Sequence, residues 1–168
     1  MNSNEQVLLD LNVSTQQIIN ILDQIPADRF NFGQGQSWSV SDCLEHLIMV
    51  EGFILNVING ETMPLQDRQP DQFVSGIKSR FTNRDQKLDA PPPIAPPHEE
   101  RVKEIQKQAF VEKRNQLTAA FEHLNLTDIC LGHKHKMFGE LTRYEWAYFT
   151  IFHSDRHAIQ ITEAAEKK

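Results

Sequence analysis

His153 and His157 stand four residues apart in the run Phe152-His153-Ser154-Asp155-Arg156-His157. On a helix, that spacing puts both imidazoles on one face, with Cβ atoms about 5–6 Å apart, so both can reach a single ion. Far upstream, His46 follows a helix start at Trp38-Ser39-Val40. Two helices presenting three imidazoles to one point would make a metal site with open coordination positions. Three protein ligands plus solvent is the arrangement of catalytic zinc, whereas structural zinc takes four. Imidazole nitrogen suits Zn, Ni, Fe and Cu, and no carboxylate-rich cluster favours Mg or Ca. Such a centre would ionise a bound water for hydrolysis or hold a substrate thiol as thiolate. The spacing equally fits two core histidines held by hydrogen bonds. The intervening Ser154-Asp155-Arg156 is not the HExxH pattern of zinc proteases, which argues against peptidase activity.

Four helices are needed to place these residues. The first runs from about Glu5 to Gln24, with Leu8, Leu11, Ile18, Ile21, Leu22 and Ile25 as its apolar stripe, and Pro26 stops it. Residues 33–36 (Gly-Gln-Gly-Gln) read as a flexible connection. Ser39 or Ser41 caps the second helix, which ends near Asn59-Gly60 and carries His46 on a face with Asp42, Cys43, Val50, Phe53 and Val57. A third spans Glu99 to Leu124, with Val102, Ile105, Ala109, Phe110, Leu117, Ala120, Phe121 and Leu124 facing inward. The fourth runs from Thr142 to Glu166, where His153 and His157 share a face with Phe149, Thr150, Gln160, Ile161 and Ala164.

Between the second and third helices lies a stretch of different texture. Five of the chain's eight prolines fall in Pro91-Pro92-Pro93-Ile94-Ala95-Pro96-Pro97, which fixes an extended, stiff backbone. Phe73–Phe81 is long enough for a short helix. The expected fold class is all-α: a four-helix bundle with a long Pro-rich crossover between helices two and three, residues 1–168 forming one domain. Asn125 to Gly139 reads as a loop, and the chain as a whole shows no β-alternation that amounts to more than a short hairpin.

Composition narrows the partners. A net charge of −6 with no Lys/Arg cluster disfavours nucleic acid and anionic membrane surfaces. The start Met1-Asn2-Ser3-Asn4-Glu5-Gln6 lacks the segments of a signal peptide, and no apolar run approaches the roughly 20 residues that cross a bilayer. A cytoplasmic protein acting on a small molecule is the expectation. Cys43 and Cys130 share no CxxC spacing and read as buried thiols. His133 and His135 flank Lys134 in a solvated loop, with His135 a candidate to approach the mouth of the site as a substrate contact or proton shuttle. His98 and His123 read as surface residues, and Trp38 as a hydrophobic staple at the helix entry.

Two segments carry a more specific pattern. Trp38-Ser39-Val40-Ser41-Asp42-Cys43-Leu44-Glu45-His46-Leu47 resembles the start of helix two in the DinB-like superfamily of metal-binding four-helix bundles. His135 to Trp146, followed by His153, His157, Gln160 and Ile161, is similar to that family's closing motif. The segment from Arg80 to Pro97 is similar to its crossover. The resemblance implies His46, His153 and His157 as metal ligands, with Zn or Ni the expected ion, and a bundle that often forms homodimers. It also implies a choice of activities: transfer of a low-molecular-weight thiol such as bacillithiol or mycothiol, or metal-dependent hydrolysis. A non-catalytic metal-binding stress-response module is the third reading, since fold and triad alone do not choose.

Overall fold

Helix α1 (Ser3–Gln24) buries Val7, Leu11, Ser14, Ile18 and Leu22 at three- and four-residue spacing, the period of one helical face. A single turn, α2 (Ala27–Phe30), follows Pro26 and buries Phe30. Helix α3 (Val40–Asn59) starts at a capping box: Ser39 Oγ accepts from Asp42 N, and the Asp42 carboxylate accepts from Ser39 N. This reciprocal pair satisfies two of the amides that a helix start leaves open. The computed structural model describes residues 3–33, 37–86, 88 and 90–167; Gln34, Gly35 and Gln36 of the expected flexible connection lie outside them.

Strand β1 (Thr62–Met63) and helix α4 (Val74–Thr82) come next, then a 3-10 turn at Pro92–Ile94. Helix α5 (Lys103–His123) starts four residues later than its sequence pattern suggested. Val102 and Ile105, expected to face inward, are 63% and 68% exposed. Buried polar residues Gln106 and Arg114 share the inner face with Phe110, Leu117 and Phe121 instead. Apolar periodicity alone could not see that choice, because it counts a buried arginine as an outward residue.

The segment after α5 departs further from expectation. Strands β2 (Ile129–His135) and β3 (Gly139–Thr142) form an antiparallel hairpin with an irregularity between Ile129 and Lys134. β1 pairs with the outer edge of β2 through Thr62–Cys130 and Met63–Ile129, giving sheet order β1-β2-β3. Gly139 takes a φ of +73° at the hairpin turn, a backbone region that favours glycine. The chain is mostly helical, with this small sheet added.

Helix α6 (Arg143–Glu166) opens at a second capping box between Thr142 and Glu145. Glu145 is fully buried and also takes both guanidinium nitrogens of Arg68 and the amide of Phe73. One carboxylate thereby ties the start of α6 to the connection before α4. Among the described residues no helix is long and apolar enough to cross a membrane.

The long helices α1, α3, α5 and α6 pack on one another, and their apolar residues fall into two clusters. One holds Val7, Leu11, Ile54, Leu117, Phe121, Trp146 and Ile151. The other holds Ile18, Leu22, Leu44, Leu47, Phe110, Ala158 and Ile161. In sequence, α1, α5 and α6 each place a buried polar residue between their two sets, Ser14, Arg114 and Ser154, while Glu51 of α3 is buried beside Val50 where the first cluster's stretch begins.

Candidate metal centre

His46 projects from the second turn of α3, and His153 and His157 from successive turns of α6. All three are buried, at 4%, 7% and 4% exposure. Their Nε2 atoms converge: His153 Nε2 lies 3.2 Å from His46 Nε2 and 3.0 Å from His157 Nε2. One ligand atom from each residue falls within 4.8 Å of the others. The structure thus brings together the three histidines singled out in the sequence.

His46 has a defined tautomer. Its Nδ1 lies 2.6 Å from the backbone carbonyl of Ile94, and a carbonyl oxygen can only accept, so Nδ1 carries the proton. Nε2 is then a bare lone pair aimed at the other two rings. A hydrogen bond from the second ring nitrogen is the usual device for orienting a metal-bound imidazole. Here the Pro92–Ile94 turn supplies it.

Hydrogen bonding among the rings cannot satisfy this arrangement. His153 Nε2 has two Nε2 neighbours but room for one proton, so one N–N contact is always left without a good donor. A cation satisfies all three lone pairs at once. Two of the three N–N spacings, 3.0 and 3.2 Å, are also close to the roughly 3.3 Å set by tetrahedral bonds of about 2.0–2.1 Å to zinc. The donor set therefore fits a borderline divalent metal.

Electrostatics keep the rings neutral. Burial pushes the His46 pKa down, opposed by the Ile94 carbonyl. His153 and His157 are held well below the ordinary imidazole value, first by burial. For His153 the other two histidines, Arg114 and Arg156 add to this; for His157 the contributors are His46, Arg156 and Arg84. Neutral imidazole is the form that binds metal.

Aromatic rings wall the site. Trp38 sits 5.0 Å from His46 and stacks at 6.2 Å on His157. That is more than the helix-entry staple its position suggested. Phe81 lies 5.2 Å and Phe149 5.8 Å from His153. His135 is half-buried on β2, stacked on Phe138, with Phe149 between it and the triad. His133 is also half-buried, against Phe53 and Trp146, so neither loop histidine is fully solvated. His98 is largely exposed and pairs with Asp42, while His123 ends α5 in solvent.

A model of the DinB superfamily matches residues 10–161. The chain belongs to the DinB superfamily. It is 29% identical over 136 residues to the uncharacterized protein YuaE of Bacillus subtilis (strain 168), an alignment spanning 79% of this chain and 80% of that one. No solved structure matches significantly.

Three parts of this DinB site were not read from the sequence. The Ile94 carbonyl is a backbone group, and its only signal was the stiff proline run around it. Glu51 and Arg114 form a buried ion pair at 2.7 Å, and Arg114 also donates to Ser154, the neighbour of His153. A charged residue among Leu47, Val50, Ile54 and Val57 was the available clue to Glu51.

Proposed function

We propose that this protein is a metal-dependent enzyme that transfers a low-molecular-weight thiol to an electrophilic small molecule, with His46, His153 and His157 holding the metal. The observation that carries the reading is the convergence of three buried, neutral imidazoles on one point, with the His46 tautomer fixed by Ile94. Zn and Ni are among the ions that suit three imidazoles, and are the ones we expect here. We read the four long helices as the bundle of the DinB family, and the segment between α3 and α5 as its crossover.

When bound, the metal supplies a Lewis acid against which a thiol ionises at neutral pH. The protein's own part is to hold and shield. His46, His153 and His157 fix the ion, Ile94 orients His46, and Trp38, Phe81 and Phe149 keep the surroundings apolar. In the overall reaction the S–H proton leaves to solvent and a sulfur–carbon bond forms. The leaving group departs from that carbon with its electron pair.

Elemental analysis of untagged protein beside a His153→Ala variant tests the reading. About one Zn or Ni per chain, lost in the variant, followed by thiol-dependent consumption of an electrophile, supports it. Turnover without added thiol would favour hydrolysis instead. Metal binding that raises the melting temperature with no substrate consumed would leave a binding module. Sedimentation tests the expected homodimer.

A further inference from the structure

His157 Nδ1 and Gln160 Oε1 are both buried, and neither has a hydrogen-bond partner among the described residues. They belong to residues three apart on α6, a spacing that makes their side chains neighbours on one helix face. A buried polar atom left unsatisfied is destabilising, so two within one helical turn call for an explanation. Their polarities are complementary. His157 Nε2 lies 3.0 Å from His153 Nε2, and once Nε2 gives its lone pair to a metal the ring proton belongs on Nδ1, which then donates. Oε1 of an amide can only accept. His46 already has such an acceptor in the Ile94 carbonyl; His157 has none.

We propose that Gln160 is a positioning residue of the metal centre: its Oε1 accepts the His157 Nδ1 proton once metal is bound, and so holds Nε2 toward the ion. The proposal rests on the three-histidine reading given above. Metal binding converts two buried orphans into one hydrogen bond, so the amide contributes to affinity without touching the ion.

The test is the Zn2+ dissociation constant, measured against a chromogenic chelator, for the full chain and for Gln160→Leu, Gln160→Met and Gln160→Glu. Leucine and methionine keep the bulk and remove the acceptor; glutamate keeps the acceptor. The expected result is a 10–100-fold rise in Kd for Leu and Met, the range typical of lost partners behind a metal ligand. Glu should bind at least as tightly as Gln, and the metal-free melting temperatures of Leu and Met should stay at or above that of the starting protein. Wild-type Kd in both Leu and Met overturns the proposal and leaves the metal site standing. Equal weakening in all three variants, with a lowered metal-free melting temperature, overturns it in favour of a packing role. Failure of the unsubstituted protein to bind Zn2+ overturns the three-histidine reading, and this inference with it.

Discussion

Ile94 offers its main-chain carbonyl to His46 Nδ1 at 2.6 Å, across 48 residues of sequence. The carbonyl is held by a 3-10 turn whose first two positions are Pro92 and Pro93, with Pro91 as its N-cap. Proline fixes φ in the free chain as well as the folded one, so the turn reaches the site with little left to order.

Replacing Pro92 and Pro93 by glycine should therefore loosen a metal ligand from a distance. The expected outcome is metal affinity weakened about tenfold, within the range for partners behind a ligand. Helix content should be unchanged, because α3 and α6 keep their own capping boxes. Chelator competition measures the first and far-ultraviolet circular dichroism the second.

The depressed histidine pKa values make metal-free stability depend on pH. In the unfolded chain each imidazole titrates near 6.5; in the folded protein burial holds all three lower, and neighbouring charges add to this for His153 and His157. Below about pH 6.5 the unfolded state binds more protons than the folded one, so stability is fully present above that value. It is lost as pH falls from there toward the folded-state values. Each such proton difference contributes about 1.4 kcal/mol per pH unit, and three acting together give a slope of up to about 4. Denaturant melts of metal-free protein between about pH 5 and 8 should show the fall, and a His153→Ala, His157→Ala double variant should flatten it.

Much of this was legible beforehand. α1, α3 and α6 follow apolar periodicity and capping signals within a few residues of the expected ends, and HxxxH placed two ligands on one face. What escaped notice was what local patterning does not encode. β1 has two residues and exists only because β2 is there to pair with it. β2 carries Gly132, Lys134 and two histidines, a poor strand sequence by composition. Phe138 at the hairpin tip comes within 3.0 Å of the Cβ position that Gly76 of α4 lacks, a contact between segments far apart in sequence. The polar layer was hidden for a similar reason: Glu51 and Arg114 are buried only because they meet each other.

That pair makes a sharp stability prediction. Glu51 and Arg114 are each 1% exposed and paired at 2.7 Å, while Glu51 Oε2 and Arg114 Nη1 have no partner among the described residues. Burial raises the Glu51 pKa, and Arg114 opposes this. Removing one partner strands a charge in the core, so Arg114→Met should cost about 3–5 kcal/mol. A Glu51→Leu, Arg114→Met double variant replaces both charges with apolar groups and should recover most of that loss. Urea denaturation of the two single variants and the double variant closes the cycle. Additive losses would show that the two charges do not depend on each other.

The cysteines should be chemically silent in the folded state, leaving thiol chemistry to an added thiol. Burial, with Asp42 nearby, pushes the Cys43 thiol up to about 12. Burial likewise raises Cys130 to about 11, opposed by Arg143. The thiolate is the reactive form, so at neutral pH almost none is present at either position. Both side chains are also closed off from solvent. Iodoacetamide at pH 7 should label neither residue over a period in which a free cysteine peptide reacts to completion, and both should react once urea unfolds the chain. Mass spectrometry of the intact protein reads the number of adducts. Rapid labelling of folded protein at Cys43, which sits one helical turn before His46 on α3, would instead bring a protein thiolate into the chemistry of the site.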